Sequence, residues 1–371
     1  MTIRDKVWSV VLTTALALPL AGPSFAVEPA EGLTITTADG QHSITFAGRF
    51  QLRYVVELQD YAPQHNSFFL RRLQPQVDGA AFGGALTFRI KPDIARGAEL
   101  QDAWVAYDFF DGLQIQGGQY QVPFNWEREV SSNRHQFIER SVANSQFQAA
   151  TGRDIGLMVH GVLFDRLRYG VGIFNNQGIN APRSDTTGHL YSGRVSYAIA
   201  GSSPRTEVLV SPAEELTLAV GVGAYLTTEN TARVWDQWYE SDTIEATAVA
   251  TTTDLHLQIA RLSIHVAGFY WDVVPFEDTE DAMPDYQGYG FAAHAGILLI
   301  PERLFIALRY SEARPNIDEI ATSRREALLG LQVFHQGQDS KVHVEAGRIE
   351  RHDDDDWQDE QIFRMQYQFL F

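Results

Sequence analysis

Arginine is the residue type in this sequence whose placement most clearly implies chemistry. The chain has 371 residues with 29 lysines and arginines, and only Lys6, Lys91 and Lys341 are lysines. Arginines recur an even number of residues apart, as at Arg49 and Arg53, within stretches in which polar and apolar residues alternate. A guanidinium group presents a rigid fork of N–H donors that binds carboxylate or phosphate bidentately. The pattern therefore favours contacts with oxyanions along one face of extended segments.

Cations and anions balance at the polar positions of these segments. The candidate anion contacts are Arg49, Arg53, Arg89, Lys91, Arg194, Arg309 and Arg364. Lys341 also lies on the polar face of its segment. The acidic residues on the same polar faces are Glu57, Asp78, Asp93, Asp102, Asp108, Asp254, Glu326 and Glu345. The alternative for each arginine is an ion pair that stiffens the wall. Selectivity for anions requires a local excess of cations, because charges beyond a Debye length of about 8–10 Å are screened.

A second group of arginines lies in or beside one long connection, residues 122–152. The candidate constriction cations are Arg128, Arg134, Arg140 and Arg153, against Glu127, Glu129, Glu139 and Asp154. Compact proteins rarely carry such a long connection without a function. We expect a short helix over residues 131–140 and a connection that folds inward as a constriction. An exposed surface loop is the alternative.

Three histidines form the remaining candidate cluster. If Ala260 and Arg261 form a two-residue hairpin turn, His256 pairs with His265, and His294 on the next strand lies at a similar height. Three imidazoles can bind Zn²⁺ or change charge near neutral pH. Ala-Arg is not a favoured two-residue turn, so we assign no metal and no cofactor.

Residues 44–58 reveal the elements that position these groups. Phe46, Phe50 and Leu52 share one face, and Arg49 and Arg53 share the other. This period of two predicts a strand longer than the roughly five or six residues usual in soluble proteins. Similar segments bring the total to sixteen, near 44–58, 67–80, 84–93, 99–109, 113–121, 153–162, 166–175, 190–200, 215–226, 249–259, 261–272, 286–298, 303–312, 324–335, 340–348 and 361–371.

The connections between these segments alternate between short and long. Short connections include 81–83, 110–112 and 163–165, and long polar ones include 122–152 and 227–248. This alternation is typical of bacterial outer-membrane barrels, which have an even number of strands. We therefore predict an all-β fold: a transmembrane 16-stranded antiparallel β-barrel over residues 43–371. The third extracellular loop is expected to fold inward.

The N-terminus predicts export. Arg4 and Lys6 precede an apolar stretch, residues 7–20, and Ser24-Phe25-Ala26 forms a small-x-small cleavage site. We expect a signal peptide over residues 1–26, cleavage near Ala26, and a short periplasmic segment over residues 27–42. The predicted location is the bacterial outer membrane, where acidic loops could bridge to lipopolysaccharide through divalent cations.

Other function classes find little support. The net charge of −18 argues against nucleic-acid binding. Cysteine is absent, which excludes thiolate and disulfide chemistry. The sequence carries no HExxH, P-loop or GxSxG motif, and we predict no enzymatic activity.

Several motifs together resemble one family, the phosphate-selective porin O/P family of Gram-negative outer membranes. In chain order the motifs are Ala38-Asp39-Gly40, Ile44-Thr45-Phe46-Ala47-Gly48-Arg49-Phe50-Gln51, Leu70-Arg71-Arg72-Leu73, Leu100-Gln101-Asp102-Ala103-Trp104-Val105, Gly118-Gln119-Tyr120-Gln121-Val122-Pro123-Phe124, Phe137-Ile138-Glu139-Arg140, Gly152-Arg153-Asp154-Ile155-Gly156, Leu298-Leu299-Ile300-Pro301-Glu302 and Ala307-Leu308-Arg309-Tyr310. They extend over nearly all of residues 38–371.

The resemblance implies a homotrimeric porin whose third loop enters the pore. Family members with known selectivity move phosphate or polyphosphate along arginine rungs and a lysine cluster, and this sequence departs from that pattern in its scarcity of lysine. We expect an outer-membrane porin for passive diffusion of small anions, with phosphate or a related oxyanion first. The alternatives are a general, weakly selective diffusion porin and a surface-binding or adhesive barrel that uses acidic extracellular loops. An open-channel current separates the porins from the binding barrel.

Overall fold

The computed structural model describes residues 32–59, 64–110, 112–149, 152–181, 188–202, 205–228, 246–275, 285–318, 323–353 and 356–371. The predicted signal peptide, and most of the acidic residues expected in extracellular loops, lie outside these ranges. The strands are β1 Leu33–Thr36, β2 Ser43–Gln59, β3 His65–Ala81, β4 Leu86–Asp93, β5 Glu99–Phe110, β6 Leu113–Gln121, β7 Arg153–Leu163, β8 Leu167–Phe174, β9 Leu190–Ala200, β10 Ala213–Thr227, β11 Ala246–Ala260, β12 Leu262–Pro275, β13 Tyr286–Ile300, β14 Leu304–Arg314, β15 Arg324–Gln336, β16 Ser340–Asp353 and β17 Asp356–Leu370.

Strands β2 to β17 form a closed antiparallel barrel. Each strand pairs with its neighbour in sequence, and β17 returns to β2 in a register that runs from Glu360 opposite Gln59 to Leu370 opposite Arg49. All sixteen predicted strands are therefore confirmed, within a few residues at their ends. The additional strand β1 pairs with the start of β2, from Leu33 opposite Phe46 to Thr36 opposite Ser43.

The two faces of each strand differ as the alternation predicts. On β13, Tyr289 and Ile297 point outward and are 40% and 44% exposed, whereas Ala292, His294 and Leu298 are buried. Apolar side chains thus cover the outside of the barrel, and polar or small ones point inward, as a membrane-spanning barrel requires. No helix within the described ranges is long and apolar enough to cross a membrane.

The turn between β11 and β12 has the two-residue form expected from the histidine spacing. Ile259 pairs with Leu262, which leaves Ala260 and Arg261 as the turn. Ala260 has a φ of 50°, in the left-handed region that residues other than glycine rarely adopt. The register of the two long strands therefore outweighs the unfavourable turn chemistry.

In the part of the connection between β6 and β7 that the structure describes, residues 122–149 and 152, the helical segments are single turns. These are α1 (Trp126–Glu129), a 3₁₀ turn (Ser132–Arg134) and α2 (Val142–Gln146). The predicted helix over 131–140 is wrong beyond the 3₁₀ turn. The backbone N–H groups of Gln136 and Ile138 instead donate to the carboxylates of Glu207 and Glu345, so these groups are not available for helical hydrogen bonds.

Candidate functional site

The connection between β6 and β7 is bound to the inward-pointing side chains of distant strands. Ile138 N donates to Glu345 Oε2 on β16 at 2.7 Å, and Val142 N donates to Glu326 Oε1 on β15 at 3.0 Å. Arg309 Nη1 on β14 donates to the backbone oxygen of Glu139 at 2.8 Å. These bonds satisfy backbone groups that would otherwise be buried without partners. They also fix the connection on one side of the barrel.

A second connection, between β9 and β10, packs against the first. Glu207 Oε2 accepts from Gln136 N at 2.8 Å, and the Glu207 backbone oxygen accepts from Gln136 Nε2 at 2.9 Å and from Ser263 Oγ at 2.7 Å. Burial raises the pKa of Glu207 to about 7, although the hydrogen bond from the Gln136 N–H acts to lower it. We call the wall from β9 to β17, together with residues 124–149 and 205–210, the packed side.

Apolar side chains fill the packed side. Phe124, Phe147, Phe269 and Trp271 belong to one buried cluster, which brings the connection together with β12. Phe137 belongs to a second cluster with side chains from β13, β14 and β15. Burial of this aromatic surface holds the connection in place, since each aromatic residue removes a large area from water. The packed side therefore has the character of a protein core.

Three of the predicted anion contacts lie on the packed side in ion pairs. Arg194 donates to both carboxylate oxygens of Asp254 at 2.6 and 2.9 Å, and it also lies 3.3 Å from Glu129. Arg309 lies 2.9 Å from Glu326, and Arg364 lies 2.5 Å from Glu345. Their side chains are 2%, 1% and 11% exposed. The structure thus places Arg194, Arg309 and Arg364 in the ion-paired arrangement that the sequence left as an alternative.

The opposite wall, from β3 to β7, borders open cavities, and we call it the open side. A cavity of about 620 Å³ and another of about 260 Å³ share Gln101, Arg72, Arg140 and Arg153 in their linings. The smaller cavity shares Gln121 with a third of about 710 Å³. The shared lining residues place the three cavities side by side between the open side and the connection, and we call this row of cavities the passage.

Cations outnumber carboxylates in the lining of this passage. The 620 Å³ cavity has Arg71, Arg72, Arg96, Arg128, Arg140 and Arg153 against Asp93, Glu99 and Glu139. The 260 Å³ cavity has Arg49, Arg72, Arg89, Lys91, Arg140 and Arg153 against Asp102 and Glu129. Six of the predicted cations therefore meet there, namely Arg49, Arg89, Lys91, Arg128, Arg140 and Arg153. The sequence predicted similar numbers of cations and carboxylates along the barrel, but in the linings of these two cavities cations are in excess.

The guanidinium groups of the connection lie close to one another, and their pKa values are lowered. Burial, followed by the charges of Arg140 and Arg153, holds the pKa of Arg128 well below its usual range. Burial, with a contribution from Arg153, lowers the pKa of Arg140 to about 10 despite the opposing effect of Glu127. The causes of both shifts are lost hydration and repulsion between neighbouring guanidinium groups. An anion that enters the passage would relieve both.

The sequence analysis missed Arg71, Arg72 and Arg96. Gln51 pairs with Arg72 and Leu52 pairs with Leu70, so Arg71 is an extra residue in a β-bulge. A bulge breaks the alternation of faces and re-aims a side chain, which lets two consecutive arginines line the same cavity. The Arg-Arg doublet within a strand is the sequence signal that could have revealed it.

The other predicted cations have local partners. Arg49 donates to Ser132 Oγ at 2.9 Å and Ser131 Oγ at 2.8 Å, which ties β2 to the connection. Lys91 forms an ion pair with Asp102. Arg134 is exposed at the 3₁₀ turn, and its backbone oxygen accepts from Glu207 N at 3.0 Å.

The three histidines cluster as the register predicts. His256 Nδ1 lies 3.1 Å from His265 Nδ1, and the His265 and His294 rings are 5.0 Å apart at their centroids. Asp254 Oδ1 lies 2.8 Å from His256 Nε2, and Trp126 covers His256 with a centroid distance of 3.6 Å. Within the described ranges, no group of three or more histidines and carboxylates has an arrangement that could hold a metal ion.

Comparison with solved structures supports the fold. The chain is similar to an anion-selective porin from Comamonas acidovorans, with 11% identity, a TM-score of 0.63, and coverage of 89% of this chain and 100% of that one. It is also similar to OmpT of Vibrio cholerae in its trimer form, with 10% identity, a TM-score of 0.60 and coverage of 89% and 100%. The outer membrane channel DcaP of Acinetobacter baumannii matches with 10% identity, a TM-score of 0.59 and coverage of 91% and 99%.

Comparison with protein families supplies the relationship that such low identities cannot. No curated protein matches the sequence. The family model of phosphate-selective porin O and P matches residues 44–265, which is more than half of the chain and includes the open side and the connection between β6 and β7. The protein therefore belongs to the phosphate-selective porin O and P family and is a channel-forming porin.

Proposed function

We propose that this protein is an outer-membrane porin that allows passive diffusion of small anions. The excess of arginines along the passage carries this proposal. Arg72, Arg140 and Arg153 line both the 620 Å³ and the 260 Å³ cavities. An anion that leaves one cavity for the next therefore remains in contact with guanidinium groups, whose N–H donors replace part of its hydration shell.

We infer that residues 122–152 fold into the barrel and set the size limit of the pore. The hydrogen bonds from Ile138 to Glu345 and from Val142 to Glu326 support this position, because both carboxylates belong to inward faces. Arg128 and Arg140 of this connection then face the cations of the open side across the passage. The connection thus supplies both a wall and charge.

Small oxyanions, phosphate among them, are the proposed permeants. Arginine forks match the paired oxygens of phosphate and carboxylate better than they match a spherical ion. The family membership supports phosphate, while the scarcity of lysine removes the lysine cluster expected from the resemblance. A homotrimer is also proposed, with support from the trimer form of OmpT. Export through a signal peptide and contact with lipopolysaccharide complete the proposal.

The test is the zero-current potential of the purified protein in a planar bilayer under a KCl gradient. We expect a potential of the sign for anion selectivity, and a chloride current that phosphate reduces. Arg140→Ala should lower the ratio of anion to cation permeability by about fivefold, the effect of about 1 kcal/mol expected for one charge at roughly 4 Å in water. Arg261→Ala, at the exposed turn between β11 and β12, is the matched control.

Two other outcomes would change the assignment. A near-zero or cation-selective potential without reduction by phosphate would favour a general diffusion porin. The absence of any current would contradict both porin functions and favour a binding barrel.

A further inference from the structure

One carboxylate of the connection occupies the position where a permeating anion would bind. The Glu139 side chain forms ion pairs with Arg53 of β2 and with Arg71 of β3, the latter at 3.2 Å. It is 34% exposed and lines both the 620 Å³ cavity and a neighbouring cavity of about 430 Å³. Its carboxylate is therefore in contact with the passage as well as with two guanidinium groups.

The position of Glu139 does not depend on these ion pairs alone. Its backbone oxygen accepts from Arg309 Nη1 at 2.8 Å, and the preceding residue, Ile138, donates its N–H to Glu345 at 2.7 Å. Phe137 is buried in the adjoining apolar cluster. The backbone is thus fixed from the packed side, and the carboxylate can leave Arg53 and Arg71 by rotation of its own side chain.

The surroundings of the Glu139 carboxylate favour a negative charge. Burial acts to raise the pKa of Glu139, but Arg53, Arg71 and Arg72 together hold it well below its usual range. Arg71 is the extra residue of the β-bulge, so the backbone of β3 is shaped to bring a second guanidinium to this point. Two convergent guanidinium groups on one carboxylate form a site for a small oxyanion.

We propose that Glu139 is a tethered competitor for a small-oxyanion site formed by Arg53 and Arg71. A permeating carboxylate or phosphate displaces the Glu139 carboxylate, which returns when the anion leaves. The site then attracts anions without retaining them, because each bound anion competes with an acid that cannot diffuse away. This inference rests on the proposed function and assigns Glu139 as a residue that sets affinity for the permeant.

The experiment measures reduction of the chloride current by inorganic phosphate in planar bilayers, with the wild type, Glu139→Gln and Glu99→Gln. A tethered group has an effective concentration in the millimolar range or above, so its removal should lower the half-blocking phosphate concentration by about tenfold. Glu99 lines the same 620 Å³ cavity from β5, and Glu99→Gln removes the same charge. It should lower that concentration by less than about twofold.

Equal effects of Glu139→Gln and Glu99→Gln would overturn the proposal, because net charge alone would then explain both. An anion-selective Glu139→Gln channel with unchanged phosphate block would also overturn it. If Glu139→Gln does not assemble an open channel, Glu139→Asp provides the test. Its shorter side chain should compete less well and lower the half-blocking concentration, and an unchanged or higher value contradicts the proposal. A wild-type channel without anion selectivity would instead contradict the proposed function itself.

Discussion

On the packed side, Arg309 and Arg364 each meet a carboxylate from the adjoining strand, and Arg194 on β9 meets Asp254 on β11, one strand further on. The three side chains are only 1–11% exposed. On the open side, arginines outnumber carboxylates and face cavities of about 620 and 260 Å³. Arginines on the inward face of a strand thus have two roles: they form buried ion pairs on the packed side, and they line cavities on the open side. Which role an arginine has depends on whether a connection from elsewhere in the chain covers that part of the wall.

The difference has an energetic basis. A buried charge without a partner costs several kcal/mol, so the buried cations on the packed side need close acceptors. Arg194, Arg309 and Arg364 have carboxylates, and Lys341 donates to Asn133 O, Gln332 Oε1 and Gln338 Oε1. A cation beside the passage has also lost hydration, but it can contact water, salt ions or a permeating anion there, and salt partly screens the repulsion from its neighbours. Arginines in excess of carboxylates can therefore accumulate along the passage, which is where an anion can use them.

The largest expected effect is the loss of an arginine from the packed side. Arg309→Met should destabilise the barrel by about 3–5 kcal/mol, because it leaves the Glu326 carboxylate buried without its guanidinium partner. Urea-induced unfolding in detergent micelles measures the change in free energy. Arg96→Met is the matched substitution on the open side, where Arg96 is exposed, and it should cost less than about 1 kcal/mol. Equal costs would remove the energetic distinction between the two sides.

The second prediction concerns the pH dependence of the packed side. Burial raises the pKa of Glu207 to about 7 from an ordinary value near 4.5. The folded state therefore prefers the protonated acid, and the stability it contributes is complete below about pH 4.5 and is lost as the pH rises to about 7. We expect a loss of roughly 2–3 kcal/mol over this range.

Glu207→Gln tests this dependence, because a glutamine stays neutral and can still accept from Gln136 N. The variant should unfold at a higher urea concentration than the wild type at pH 8 and show a flatter dependence between pH 5 and pH 8. Glu302→Gln, at the exposed turn before β14, should leave the wild-type dependence unchanged. A wild type equally stable at both pH values would mean that the carboxylate is solvated or paired when charged.

The barrel could be predicted from the sequence because its determinants are local. Alternation of polar and apolar residues along one strand, as around Arg49 and Arg53, shows which face of the strand contacts lipid. The length of each connection shows whether it lies at the periplasmic or the extracellular end of the barrel. Strand β1 was not predicted, because its pairing with β2 depends on four residues at the N-terminal edge. The helix expected over 131–140 failed for a related reason, since distant carboxylates bind its N–H groups.

The candidate site could be predicted only in part because it depends on contacts between distant residues. Alternation along the strands grouped Arg49, Arg89 and Lys91 on the polar face, and all three line the 260 Å³ cavity. Alternation could not show which arginines meet carboxylates from other strands. Arg71 escaped notice because a bulge shifts the parity at that position. The three histidines show a simpler case, because the sequence made the pairing of His256 with His265 conditional on a two-residue turn at Ala260 and Arg261, and the structure has that turn and that pairing. The sequence left open whether His294 joins them, and it lies opposite His265 on the next strand.

A smaller effect is expected where a carboxylate of the open side restrains cations of the passage. Asp102 forms ion pairs with Lys91 and with Arg153, the latter at 2.9 Å. Asp102→Asn should leave both cations available and raise the ratio of anion to cation permeability by about fivefold, as estimated for one charge in water. Glu345→Gln makes the matched change beside Arg364 on the packed side, where Glu345 is fully buried, and its main effect should be on stability. An equal rise in anion permeability for both would show that the packed side also lines the conducting path.

The smallest effect is expected for an exposed pair on the open side. Arg89 Nε lies 2.6 Å from Asp78 Oδ1, yet the side chains are 35% and 29% exposed. Asp78→Asn should therefore cost only about 0.2–1 kcal/mol in urea unfolding, and high salt should reduce the difference further. Arg89 also lies 5.7 Å from the centroid of the Trp104 ring, which helps to hold its guanidinium when the carboxylate is gone. A cost near that of Arg309→Met would mean that distance alone sets the strength of these pairs, and burial would no longer separate the two sides.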